Sequence, residues 1–157
     1  MELKTNLISA KRVETEKERE DAFYVRQKVF VEEQDVPVHL ELDEYDQSAI
    51  HFVAYDDEMP IGAGRIREPE PGIAKVERVC ILPQYRGQHL GNLMMENMET
   101  YAREAGLTTV KLYAQSYAVP FYEKLQYQIT SPEFMYAGIP HKEKKKTFPS
   151  SSEAHKT

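Results

Sequence analysis

IAKVERVCILPQYRGQHLG, residues Ile73 to Gly91, is the stretch whose reading decides the fold. It opens as a β-branched, apolar strand and breaks at Pro83. It then passes through a short loop to Arg86-Gly87-Gln88-His89-Leu90-Gly91, the predicted start of a long helix. Leu90, Leu93, Met94, Met98, Tyr101 and Ala105 fall on one face of that helix, and Gly106 is a suitable stop. A strand, a glycine loop and a helix N-terminus make an anion cradle. Several backbone N–H groups there lack a partner within the helix and point the same way, and the helix dipole reinforces them. The cradle suits the pyrophosphate of a coenzyme.

Working outward, Thr108 to Ala114 (TTVKLYA) is the next strand. Strand, helix, strand in that order predicts a parallel pair with a right-handed crossover. Upstream, Ala49 to Tyr55, a turn at Asp56 to Pro60, Ile61 to Arg67 and a turn at Pro69 to Gly72 predict an antiparallel meander ending in the 73–82 strand. Gly62 and Gly64 weaken their strand unless a bulge or a close neighbour requires them. Nearer the N-terminus, Leu3 to Val13 reads as an edge strand. Thr15 with Glu18 reads as a capping box, opening a helix whose core residues are Ala22, Val25 and Val29, with Arg26 and Phe30 on the flanks. That helix is expected to run towards Glu33 and to end before Asp35-Val36-Pro37.

After Ala114 come a short helix at Ala118 to Leu125, with Pro120 in its first turn, and closing strands at Tyr127 to Thr130 and Phe134 to His141. Lys142 to Thr157 is Lys- and Ser-rich and reads as frayed. The expectation is therefore one α/β domain with a mixed sheet over residues 1–145, and a flexible tail over 146–157.

The length of 157 residues suits a single core, and 41% hydrophobic with 29% charged residues is ordinary for a soluble protein. No apolar run reaches the ~20 residues of a membrane span, and MELKTNLISAK lacks the apolar core of a signal peptide. The lone Cys80 excludes an internal disulfide and cannot by itself build a zinc site. A cytoplasmic protein without a metal, a membrane partner or a nucleic-acid partner fits, the net charge of −6 arguing against a phosphate-backbone surface. The acidic run Leu40 to Ser48 (LELDEYDQS) has a plain reading, a solvated loop, and a sharper one, an acidic rim that attracts an amine-bearing substrate.

Three local matches carry a resemblance. VERVCILPQYRGQHLG resembles the acetyl-CoA signature of the GCN5-related N-acetyltransferases (GNAT), an Arg or Gln followed by x-x-Gly-x-Gly/Ala. AVPFYEKLQY, Ala118 to Tyr127, is similar to that family's Ala-x-x-Phe-Tyr-Glu-Lys-Leu-Gly-Phe segment. VRQKVFVEEQ (Val25 to Gln34) and AGIPH (Ala137 to His141) resemble its small bacterial ElaA- or YjcF-like branch. The chain departs from the pattern at His89 and at Gln126, both of which stand where the family usually has glycine.

The resemblance implies an acetyltransferase that uses acetyl-CoA and acts by direct attack of a primary amine, on a small molecule or a peptide, in a ternary complex. It implies that backbone groups at Val79, Cys80 and Ile81 hold the pantetheine arm and polarise the thioester carbonyl. Arg86, Gly87, Gln88, His89, Leu90 and Gly91 would hold the pyrophosphate, while Gln115 and Phe121 would line the cofactor. Tyr122 matches the proposed general acid, and a phenol, with its pKa near ~10, keeps its proton at neutral pH. A core aromatic is the plain alternative for Tyr122.

Glu77, placed by strand alternation on the face of Val79 and Ile81, is a candidate base. Its plain alternative is a strand glutamate paired with Arg65. Cys80, on the opposite face, is rejected as a nucleophile and read as packing. Arg26, Glu33, His51 and His141 are candidate acceptor contacts. A homodimer would suit the family. The rival function is a degenerate module that binds acetyl-CoA as a sensor or regulatory partner without turnover, which His89 favours and Tyr122 opposes.

Overall fold

The computed structural model describes residues 7–136 and 139–148; the predicted edge strand before Leu7, Ala137 and Gly138 of the AGIPH motif, and everything from residue 149 lie outside the described residues. The described chain gathers into two compact units. One holds residues up to Arg67 together with Arg78–Met98, the other Glu68–Glu77 together with Glu99 onward.

In the first unit, β1 (Ile8–Arg12) is followed by α1 (Glu16–Arg26). Thr15 caps α1 as its sequence predicts: its hydroxyl accepts from the Glu18 N–H at 3.1 Å, and the Glu18 carboxylate accepts from the Thr15 N–H at 3.1 Å. The helix does not stop at Arg26. It widens into a π-helical stretch, Gln27–Glu33, a form often found at functional sites. Ala22, Val25 and Val29 are all buried, so the periodicity holds through that change of pitch. A one-turn helix α2 (Val38–Glu41) and a 3-10 turn (Glu44–Gln47) lead to β2 (Ile50–Asp56), which pairs antiparallel with β1 from Ile8↔Asp56 to Arg12↔Phe52.

The turn after β2 is tighter than its sequence suggests. Asp57 takes φ 58, and β3 (Met59–Glu70) begins at once, with Pro60 inside the strand opposite Tyr55. A bulge between Ala54 and Tyr55 makes the room that a strand proline needs. β4 (Ile73–Ile81) follows β3 in the strand order, completing the meander. A 3-10 turn (Pro83–Tyr85) and a loop then enter α3 (Leu90–Glu104). Gly64 is required by close approach: a Cβ there would sit 3.0 Å from the Met98 sulfur of α3.

In the second unit the first half of β4 pairs parallel with β5 (Thr109–Gln115), Ile73 opposite Thr109 and Lys75 opposite Lys111. α4 (Val119–Lys124) carries Pro120 in its first turn. β6 (Gln128–Ile129) and β7 (Phe134–Tyr136) both pair antiparallel with β8 (Ile139–Thr147). Here the sequence reading is corrected. The Lys-rich stretch is a strand of the sheet, not a tail. β8 pairs with β5 along its length, from Gln115↔His141 to Thr109↔Thr147, because the side of β5 away from β4 needs a partner. Phe148, after β8, is buried and lies under the Arg103 guanidinium. The result is a mixed α/β architecture in which β4–β5 is parallel and the pairs β1–β2, β2–β3, β5–β8, β6–β8 and β7–β8 are antiparallel.

Candidate active site

The strand-to-helix cradle belongs to the first unit. Val79 and Ile81 are half-buried and Cys80 is buried. Burial pushes the Cys80 thiol up to about 12, against a counter-pull from the Arg26 charge, so it is a thiol and not a thiolate nucleophile at neutral pH. Arg86, Gly87, Gln88 and His89 form an exposed loop in front of the buried Leu90 and half-buried Gly91 of α3. Gly87 has φ 81, and a Cβ added there would meet nothing within 4 Å, so the loop has open space beside it. His89 has φ 62. The family pattern puts glycine at this position, and the backbone conformation is the one glycine adopts without strain. The chain keeps that conformation with an imidazole attached.

Arg86, expected to face a pyrophosphate, forks onto Glu33: Nη1 donates to Oε2 and Nη2 to Oε1, both at 2.7 Å. Its Nε donates to the Ile81 carbonyl at 2.9 Å. The partnered guanidinium holds the Glu33 carboxyl below the usual carboxylate range. The pair is exposed, so a phosphate can compete for the same donors.

Arg26, His51 and the acidic run meet in one buried cluster. Arg26 is fully buried, with its guanidinium taken up by carboxylates. Its Nε donates to Glu41 Oε1 at 2.7 Å, Nη1 to Asp46 Oδ1 at 2.7 Å, and Nη2 to the Glu41 carbonyl and Asp46 Oδ2. Arg65 donates to Asp43 at 2.7 and 2.9 Å and to Asp46 at 2.8 Å. The acidic run is therefore not simply a solvated loop, although Leu40, Leu42, Glu44, Tyr45, Gln47 and Ser48 are exposed. Glu41 and Asp46 are buried, and the short helix and 3-10 turn exist to present Glu41, Asp43 and Asp46 inward. Burial alone would raise Asp46, but the hydrogen bonds and charge of Arg26 outweigh it and hold the carboxyl well below its usual range.

His51 is buried in the same cluster, its Nε2 2.8 Å from the Asp46 carbonyl and its ring edge-on to Phe23. Burial lowers its pKa, which favours the neutral ring. The sequence signal that could have found the cluster was the second capping box, in which Asp43 and Asp46 cap the 3-10 turn reciprocally.

The second unit holds the remaining candidates. Glu77 Oε2 lies 3.0 Å from Lys75 Nζ, and that ammonium also sits 4.1 Å from the Tyr113 ring centroid. Next to it, Arg78 has φ 59, a left-handed residue in mid-strand. Gln115 ends β5 opposite His141. His141 is buried, its Nδ1 2.7 Å from the Ile139 carbonyl and its ring packed against Phe134 and Tyr136.

Phe121 and Tyr122 sit side by side on α4, rings edge-to-face at 4.8 Å. Burial pushes the Tyr122 hydroxyl up to about 12, with a smaller contribution from Tyr117. The neighbouring Tyr127 donates to buried Glu99 at 2.7 Å, and Lys146 donates to the other Glu99 oxygen at 2.8 Å.

The parallel β4–β5 pair, the glycine loop before α3 and the aromatic helix α4 are features that the acetyltransferase resemblance implies. The acetyltransferase (GNAT) domain model matches residues 13–148, and the chain belongs to that family; by class it is an acyltransferase. It is 46% identical over 127 residues to the uncharacterized N-acetyltransferase YjcF of Bacillus subtilis, covering 80% of this chain and 90% of that one. An acyl-CoA N-acyltransferase structure from Pseudomonas aeruginosa superposes with a TM-score of 0.79 at 27% identity, covering 91% and 100% of the two chains. Escherichia coli ElaA shares the fold, with a TM-score of 0.75 at 20% identity over 90% and 99%. Among the described residues no helix is long and apolar enough to cross a membrane.

Proposed function

We propose that the protein transfers the acetyl group of acetyl-CoA to a primary amine of a small molecule or peptide, by direct attack. The observation that carries this reading is the loop at the mouth of α3. Gly87 and His89 both take left-handed backbone, the second at the position of a family glycine, beside open space and an exposed arginine. Those residues fit a pyrophosphate, with the N–H groups from Gly87 to Gly91 and the Arg86 guanidinium as donors.

Acetyl-CoA would supply the activated acyl group as a thioester. The chain's own part is fourfold. Backbone donors at Val79 to Ile81 polarise the acyl carbonyl. Gln115 and Phe121 line the cofactor arm. Glu77 accepts a proton from the incoming ammonium, its carboxylate already facing a Lys75 ammonium at 3.0 Å. Tyr122 donates a proton to the departing sulfur; a hydroxyl held near pKa 12 stays protonated at neutral pH, as a donor must.

Calorimetry with acetyl-CoA, then CoA release across an amine panel, tests the reading. Tyr122→Phe is expected to lower turnover about 100-fold with acetyl-CoA affinity unchanged. Unchanged turnover would remove Tyr122 as the acid, and binding without turnover on any amine would favour a sensor instead.

A further inference from the structure

Arg78 occupies an unusual place. It lies in mid-β4 with φ 59, a conformation that costs a non-glycine residue on the order of 1 kcal/mol or more. Such a residue persists only where its surroundings over-determine it. Here they do. Arg78 Nη2 donates to the carbonyls of Leu40 and Glu41 and to Asp43 Oδ2, each at 3.2 Å, and Nε donates to the Glu41 carbonyl at 3.3 Å. The Glu41 and Asp43 carboxylates are in turn fixed by Arg26 at 2.7 Å and by Arg65 at 2.7 and 2.9 Å. The Glu41 and Asp43 acceptors of Arg78 are therefore themselves pinned. Two buried arginines and a capped turn hold them in place.

From this geometry we infer that Arg78 is a positioning residue for acyl transfer. Its guanidinium, docked on Leu40, Glu41 and Asp43, locks the left-handed kink in β4 and so sets the direction of the backbone N–H groups at Val79 and Cys80. This rests on the acetyl-transfer reading, which gives those N–H groups to the acyl carbonyl. It also gives the acidic run a purpose: a rigid counter-plate for one strand. An arginine fits the task better than a lysine, because its planar fork can hold two carbonyls and a carboxylate at once.

The test compares Arg78→Gly, Arg78→Lys and Asp43→Asn with wild type. Glycine keeps the left-handed backbone free of strain and removes only the pin, so a loss seen with glycine is a loss of positioning. Arg78→Gly is expected to lower turnover about 10- to 100-fold, with acetyl-CoA affinity within about threefold of wild type and thermal stability preserved. Arg78→Lys should recover part of the loss, and Asp43→Asn should reproduce part of it. Two readouts do not need catalysis: the amide ¹⁵N and ¹H shifts of Val79 and Cys80, and the carbonyl stretch of bound ¹³C-acetyl-CoA, which should relax towards its solution frequency in Arg78→Gly.

Full turnover with unchanged amide shifts in Arg78→Gly would overturn the proposal. So would a turnover loss that merely tracks the unfolded fraction. If wild type transfers acetyl to no amine, the acetyl-transfer reading fails by itself, and the amide shifts still decide whether Arg78 pins the strand.

Discussion

The acidic run at residues 40–48 and the basic run at residues 142–146 carry opposite charge, and both read on paper as solvent-facing chain. Both are structural, but they settle differently. The acidic run meets arginines, whose forks reach two acceptors each, and its buried carboxylates are paired several times over. The basic run is β8, where alternate lysines face inward. Lys146 finds Glu99 at 2.8 Å, whereas Lys144 is fully buried and, among the described residues, its Nζ has no hydrogen-bond partner and meets the Glu123 carboxylate of α4 at 3.9 Å. A charge run can be buried when rigid, multidentate partners meet it; a point ammonium facing one half-exposed glutamate is left under-satisfied.

The largest test of that contrast removes an arginine. Arg26→Met strips Glu41 and Asp46 of their closest donors, and breaking such a buried pair typically costs about 3 to 5 kcal/mol. The residual bond of Asp46 to Arg65, at 2.8 Å, puts the expected loss near the lower end, about 3 kcal/mol by urea unfolding. The pH dependence follows from the depressed Asp46 carboxyl. Its contribution is complete above the ordinary value of 3.8 and is lost as pH falls below it, when the folded state must take up a proton it resists. Wild type should therefore weaken below that pH more steeply than Asp46→Asn. A loss under 1 kcal/mol in Arg26→Met would mean the cluster is no better satisfied than Lys144.

The opposite sign is expected on β8. Lys144→Met keeps the length and apolar stem of the side chain and removes an amine that burial disfavours, so at pH 7 it should stabilise the protein by about 1 to 2 kcal/mol. Burial lowers the folded-state pKa of Lys144, so the unfolded chain binds the extra proton. The wild-type penalty is complete below the folded value and fades as pH rises to the unfolded value of 10.5. The gain in Lys144→Met should shrink over the same range. Destabilisation at pH 7 would show that the Glu123 pair satisfies the amine after all.

The contrast also explains what could be read in advance. Element order, the Thr15 cap, the inward face of α1 and the parallel β4–β5 crossover were legible because each rests on local chemistry or on hydrophobic period. The two charge runs were not, because composition records how much charge a segment has and not which partners the fold brings to it. The left-handed Arg78 was not legible for a related reason: a residue held by distant side chains leaves no trace in a strand's apolar pattern. The loop at Arg86 to Gly91 was legible by resemblance, yet its His89 became intelligible only through its dihedral angle.

The smallest effect sits at the end of α4, beside the same Lys144–Glu123 pair. Gln126 has φ 74 and closes a Schellman cap: its N–H donates to the Glu123 carbonyl at 2.9 Å, and the Tyr127 N–H reaches back to the Tyr122 carbonyl at 3.0 Å. The apolar contact that accompanies such a cap is here the edge-to-face pair of Tyr122 and Tyr127, centroids 5.9 Å apart. Glycine is the usual residue at this position because it takes left-handed φ without a Cβ penalty. Gln126→Gly should therefore stabilise the protein by about 1 kcal/mol, the relief of strain outweighing the added freedom of the unfolded chain. Turnover should not change, since the cap that orients Tyr122 is kept. His89→Gly is its control: the same backbone relief applies, but a loss of acetyl-CoA affinity there would mark the imidazole as a phosphate donor. If Gln126→Gly destabilises instead, the side chain has a compensating role that its exposed position does not reveal, and strain on this side of the comparison belongs to Lys144 alone.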